Sequence, residues 1–148
     1  NTIWAFATAG VAAPQLYKAI ATEARARVAD FNAQNIANTI WAFATAGVAA
    51  PRLFEAIAGE SLSRLRDFNS RDMSNTIWAF ACMDWAQSQI FLEFGAALVE
   101  GQDDLMDKDK SQLYQVALHV RAEWPELDFP LSKRLESLRS AYTRLDAE

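Results

Sequence analysis

Cysteine, histidine and glycine are scarce in this chain, and each shortage closes off a kind of chemistry. Cys82 is the single cysteine and His119 the single histidine among 148 residues, so an intrachain disulfide and a Cys/His metal cage are both excluded. The five glycines stand apart from one another, which leaves no Gly-rich loop to cradle a phosphate. No catalytic constellation is visible, and the expected protein is not an enzyme and carries no cofactor or metal. Cys82 is expected as a small buried hydrophobe. His119 is expected near a helix C-terminus, where its partial charge suits the dipole.

Positive charge is also short. Fourteen basic residues face nineteen acidic ones, a formal charge of −5, which is the wrong sign for a domain that mainly grips a phosphate backbone. The deficit is spread: residues 1–100 hold 7 basic and 9 acidic side chains, and residues 101–148 hold 7 and 10. One charge-free run, Phe31 to Pro51, is long enough to span a bilayer. Three Asn, one Gln and two Thr interrupt it, and Gly47 and Pro51 punctuate its end, so a transmembrane helix is rejected. The acidic turn Gly101 to Asp109 lacks the Gly at 112 and the Glu at 118 that a calcium loop would need. It is taken as the start of a helix, with Asp107 as N-cap and Asp109 favouring the dipole.

What is present is a repeat. NTIWAF stands at Asn1, Asn38 and Asn75, 37 residues apart. NTIWAFATAGVAAP at Asn1–Pro14 returns letter for letter at Asn38–Pro51, and DFNAQNIANTIWAFATAG at Asp30–Gly47 answers to DFNSRDMSNTIWAFACMD at Asp67–Asp84. A fixed period of this size means stacked supersecondary units, none of which buries its apolar face alone. Within the unit, Ile36, Ile40, Phe43 and Ala44, then Leu53, Ile57, Leu62 and Leu65, recur at helical spacing. Asn32 and Asn69 read as N-caps, with Phe31 and Ile36, and Phe68 and Met73, as hydrophobic staples. Gly47 suits a left-handed helix end and Pro51 the first turn of the next helix. The unit is an antiparallel αα-hairpin of two helices of about fifteen residues. The expected fold is all-α, a short α-solenoid whose right-handedness is taken by analogy.

Residues 1–100 are assigned to three such units, the first truncated and the third divergent after Ala81, with Ser88 to Glu100 as the second helix of the third unit. The chain opens inside a repeat, and further repeats are expected before it. Residues 101–148 form a divergent hairpin, Lys108–Arg121 and Leu131–Leu145, that caps the stack and carries a stripe of Leu135, Leu138, Tyr142 and Leu145. Trp4, Trp41 and Trp78 are placed at the edge of the apolar arc, packed between repeats rather than stacked on bases. The other face of the first helices is polar: Gln34, Asn38 and Thr45 share a stripe, as do Arg71, Asn75 and Cys82, and Asn1 and Thr8. Asn is unfavourable inside a helix, so its threefold return implies a hydrogen-bonding task, either tying repeats together or facing a ligand. The pairs Gln34/Arg71 and Ala37/Ser74 vary between units in the manner of helical RNA readers.

The phrases FNAQNIANTIWAFATAG and FNSRDMSNTIWAF, on a 37-residue period, resemble the octotricopeptide/heptatricopeptide repeat family, strongly from Asn1 to about Ala81. SQLYQVALHVRAEWPELDFPLSKRLESLRSAY resembles the region that precedes the C-terminal RAP domain in such proteins, and these 148 residues contain no RAP domain. The resemblance implies an organellar protein of chloroplast or mitochondrion that acts in RNA processing, stability, translation or ribosome assembly. Its partner would be a single-stranded organellar transcript or rRNA, faced by Gln34, Asn38, Arg71, Ser74 and Asn75. The alternative is a structural adaptor that uses the stack for protein contacts in a large organellar complex, such as a ribosome or bioenergetic assembly. Neither reading involves a small-molecule substrate.

Overall fold

The computed structural model describes residues 14–85, 87–101 and 104–147. The first NTIWAF copy, with Asn1, Trp4 and Thr8, lies outside the described residues. Among the described residues there are seven α-helices and no strand: α1 (Pro14–Arg27), α2 (Ala33–Ala46), α3 (Pro51–Ser63), α4 (Ser70–Cys82), α5 (Ser88–Glu100), α6 (Asp107–Glu123) and α7 (Leu135–Asp146). None is long and apolar enough to cross a membrane.

Local chemistry sets the boundaries. Asn32 caps α2 by accepting the Asn35 amide at 2.7 Å. Asn69 caps α4 in the same way at 2.8 Å, and Asp72 returns a bond from the Asn69 amide, completing a capping box. Gly47 ends α2 at φ 67°, a left-handed conformation in which glycine carries no Cβ penalty. Pro51 starts α3. Single turns of 3-10 helix at Val28–Asp30 and Leu65–Asp67 precede the two capped helices at equivalent positions.

The helices pack in two series. α2 lies on α4 and α4 on α6, while α1 lies on α3 and α3 on α5. Rings stitch the series together: Tyr17 of α1 meets Phe43 of α2 edge-on at 5.2 Å, and Phe54 of α3 meets Phe80 of α4 edge-on at 5.7 Å. Phe68, just before the α4 cap, reaches Phe94 of α5 at 5.1 Å. Ile36, Ile40, Phe43, Leu53, Ile57, Ile77, Phe80, Ile90, Phe91 and Phe94 are buried in one continuous core.

The C-terminal hairpin departs from expectation. Asp107 is the first residue of α6 and Met106 its N-cap, which has no capping side chain. Asp107 is instead drawn into a two-pronged pair with Arg144 of α7, at 2.8 and 2.9 Å. The return helix is split: a 3-10 turn, Pro130–Arg134, packs on α5, and α7 packs on α6. Leu138 and Ala141 are buried, and Leu145, assigned to the apolar stripe, is exposed. The chain just before and at the start of the 3-10 turn packs closely on Gly95, where a Cβ would stand 2.9 Å from Phe129 and 3.0 Å from Pro130.

Two predictions follow from these contacts. Asn32→Ala and Asn69→Ala should each lose about 1 kcal/mol in chemical denaturation, and the losses should add, because the caps belong to separate helices. The Arg144 guanidinium holds the Asp107 carboxyl below its ordinary 3.8. Asp107 therefore contributes stability that is present above about pH 4 and is lost as pH falls through its depressed value. In Arg144→Ala an NMR titration should find Asp107 moved back up toward 3.8; an unchanged titration would refute the pair.

Candidate nucleic-acid interface

The polar stripe becomes a cavity of about 510 Å³ where α2, α4 and α6 run side by side. α2 contributes Gln34, Asn38 and Trp41; α4 contributes Arg71, Asp72 and Asn75, with Asn69 at its cap; α6 contributes Lys108, Asp109 and Gln112. Four of the five residues assigned to RNA contact, Gln34, Asn38, Arg71 and Asn75, are thus brought together. Ser74 is not among them. It is fully buried and accepts a bond from the Gln112 side-chain amide at 3.2 Å. Its counterpart Ala37 is also fully buried, so the variable pair Ala37/Ser74 faces the neighbouring helix instead of the cavity.

Lys108 and Gln112 were not assigned to the site, yet the sequence carries their signal. One more step of 37 residues from Arg71 and Asn75 lands on them, and the step that leads from the cap Asn32 to the cap Asn69 leads on to Met106, the cap of α6. The period therefore continues after the recognisable letters have gone. Gln112 also donates to the Asn75 side-chain oxygen at 3.1 Å. Asn75 is by this bond a tie between helices as well as a wall of the cavity. Among the described residues Asn38 makes no such bond to α4 and stands half-buried at the equivalent place.

The electrostatics are mixed. Arg71 is exposed, whereas Asp72 and Asp109 are 7% exposed. Burial pushes the Asp72 carboxyl up, opposed by the bond from the Asn69 amide and by the nearby Arg71 charge. Two cations and two carboxylates leave a hydrogen-bonding surface without a strong field of either sign. At one edge, Trp41 and Trp78 lie against each other, centroids 6.2 Å apart and tilted by 31°. Both are half-buried, so they pack between helices at the rim, less deeply than a core position implies.

Below Trp78, Cys82 is exposed, contrary to the expected buried hydrophobe. Its surroundings push its thiol up to about 11, so at neutral pH it is protonated and a poor nucleophile. His119 sits 3.3 Å from Asp84 and meets Trp124 edge-on at 4.9 Å. No group of His, Cys, Asp and Glu among the described residues is arranged to hold a metal ion.

Seven helices with an amide-lined cavity across three of them define an all-α protein with a hydrogen-bonding concavity. Residues 1–120 match the family model described as RNA-editing substrate-binding complex 6 protein, and the chain belongs to that family. The match runs past Ala81, where the resemblance to octotricopeptide/heptatricopeptide repeats fades, and reaches into α6. No curated protein matches the chain.

If Gln112 ties α6 to α4, Gln112→Ala should cost about 1–3 kcal/mol, because the buried Ser74 hydroxyl loses a partner. The double mutant Ser74→Ala, Gln112→Ala should be less destabilised than the sum of its singles. Strict additivity in chemical denaturation would show that the bond contributes nothing.

Proposed function

We propose that this chain is a non-catalytic, RNA-contacting part of an RNA-editing substrate-binding complex, with the cavity between α2, α4 and α6 as the surface that meets a single strand. The family membership carries this reading. The arrangement in two packed series supports a short α-solenoid of 37-residue αα-hairpins, with residues 101–148 as its divergent cap. A relation to octotricopeptide/heptatricopeptide repeats would account for the shared Asn-Thr-Ile-Trp-Ala-Phe phrase. The family favours the mitochondrion over the chloroplast as the organelle. On this reading Gln34 and Asn38 offer amides to base edges, and Arg71 and Lys108 neutralise phosphates.

A second reading has its own support. The Asn75 to Gln112 bond occupies the amide that a base would need, and two carboxylates stand in the cavity. Both favour an adaptor that holds protein subunits of the complex. Fluorescence anisotropy with a labelled single-stranded RNA separates the two readings. Binding should be weak and should fall roughly sevenfold between about 50 and 200 mM salt, as expected for about two phosphate contacts on a single strand. Arg71→Ala and Lys108→Ala should each weaken binding and lower the salt slope by about one. Curves that neither substitution moves would retire the RNA surface and leave the adaptor.

A further inference from the structure

The turn after α2 and the turn after α4 are built alike. The Val48 amide bonds to the Phe43 carbonyl at 3.0 Å, and the Trp85 amide bonds to the Phe80 carbonyl at 2.8 Å. Val48 and Trp85 are therefore the same position, 37 residues apart, and differ by an indole. Trp85 uses its ring to cover Phe54 of α3 at 5.9 Å, and the chain after α6 does likewise, with Trp124 edge-on to Phe91 of α5 at 5.4 Å. At the corresponding place on α1, Tyr17 meets Phe43, but Val48 brings no ring.

A cavity of about 640 Å³ lies there, lined by Tyr17, Phe43, Val48, Ala50, Pro51 and Leu53 among others. Three cations, Lys18, Arg25 and Arg52, line it as well, and no acidic residue does. None of the three is paired with a carboxylate among the described residues. Tyr17 is 1% exposed, and its hydroxyl has no hydrogen-bond partner among the described residues, which is costly for a buried polar atom.

We propose that this cavity is a docking site for a tryptophan side chain of a partner protein, carried on an acidic segment. The indole takes the place that Trp85 and Trp124 fill in the other two interfaces, against the rings of Tyr17 and Phe43. Carboxylates beside it face Lys18, Arg25 and Arg52, which desolvated aromatic anchors with charged rims commonly combine. A nucleobase fits less well. Its edge carries several donors and acceptors, and the Ala, Val, Leu and Pro wall would strip their water, while the charged groups that line the cavity, Lys18, Arg25 and Arg52, offer donors but no acceptor. The site shares no residue with the cavity between α2, α4 and α6, and it stands whether or not that face meets RNA.

The test is an isothermal or 19F NMR titration of the full chain with the acetylated, amidated pentapeptide Glu-Asp-Trp-Asp-Glu, its indole fluorinated, beside the same peptide with Ala for Trp. The Trp peptide should bind saturably below about 1 mM and at least ten times more tightly than the Ala peptide. Val48→Trp supplies the ring from within and should abolish this binding. Arg25→Glu with Arg52→Glu, both exposed positions, should weaken it at least tenfold with the circular dichroism spectrum unchanged, and serves if Val48→Trp disturbs the fold. No saturable binding, equal binding of both peptides, or binding that these variants leave intact overturns the proposal. So does a short single-stranded oligoribonucleotide that displaces the Trp peptide and is itself blocked by Val48→Trp, which would assign the cavity to a base.

Discussion

Short helices of thirteen or fourteen residues are marginal by themselves in water, and here each is held by a ring from the adjacent series. Tyr17 on Phe43, Phe54 on Phe80 and Phe91 on Phe129 are edge-on pairs with centroids 5.2 to 5.7 Å apart. Such pairs add roughly 0.5–1.5 kcal/mol beyond the area they bury, and they also fix where one helix stands against the next. Tyr17 and Phe54 lie 37 residues apart, as do Phe43 and Phe80, so α1 meets α2 and α3 meets α4 through the same contact. Phe91 continues the series on α5, but position 117 is Ala and Phe91 meets Phe129 in the segment after α6 instead. The alignment of α2, α4 and α6 follows from these contacts, and with it the polar cavity.

That alignment explains which parts of the architecture were legible. Caps and helix ends depend on local chemistry: Asn32, Asn69, Gly47 and Pro51 act on the backbone within three or four residues, and their letters suffice. The start of α6 is different. An acidic residue looked like the better cap, but the 37-residue register places the helix start after Met106, and Leu105 is buried just where Phe68 is buried one unit earlier. Tertiary register overrode local preference. Asp107 was left at the first helical position, where it favours the dipole and meets Arg144. The packing of Phe129 and Pro130 on Gly95 could not be read because it joins residues far apart in the chain.

The site was legible to the same depth. A helical wheel placed Gln34, Asn38, Arg71 and Asn75 on one face correctly. Ser74 was assigned to the same RNA-facing set through its variable pairing with Ala37, and only the neighbouring helix decides that it is covered. α6 covers Ser74 and inserts Gln112 between it and the cavity. Cys82, on the same wheel, stays exposed because it is the last residue of α4 and the chain turns away after it. Residues at the margin of a stripe take their role from the next repeat, which a single unit does not contain.

Partial repetition also locates where the chain differs from itself. A strictly repeated protein would present the same surface at every interface, and selectivity arises where one copy departs. Two departures here are chemical opposites. Along the polar stripe, Gln34, Arg71 and Lys108 exchange an amide for cations at one position, which changes charge while keeping shape. In the turns, Val48 and Trp85 exchange an isopropyl for an indole, which changes shape while keeping the backbone bonds of the turn. α2 carries one wall of each cavity, with Gln34, Asn38 and Trp41 on one face and Phe43 on another.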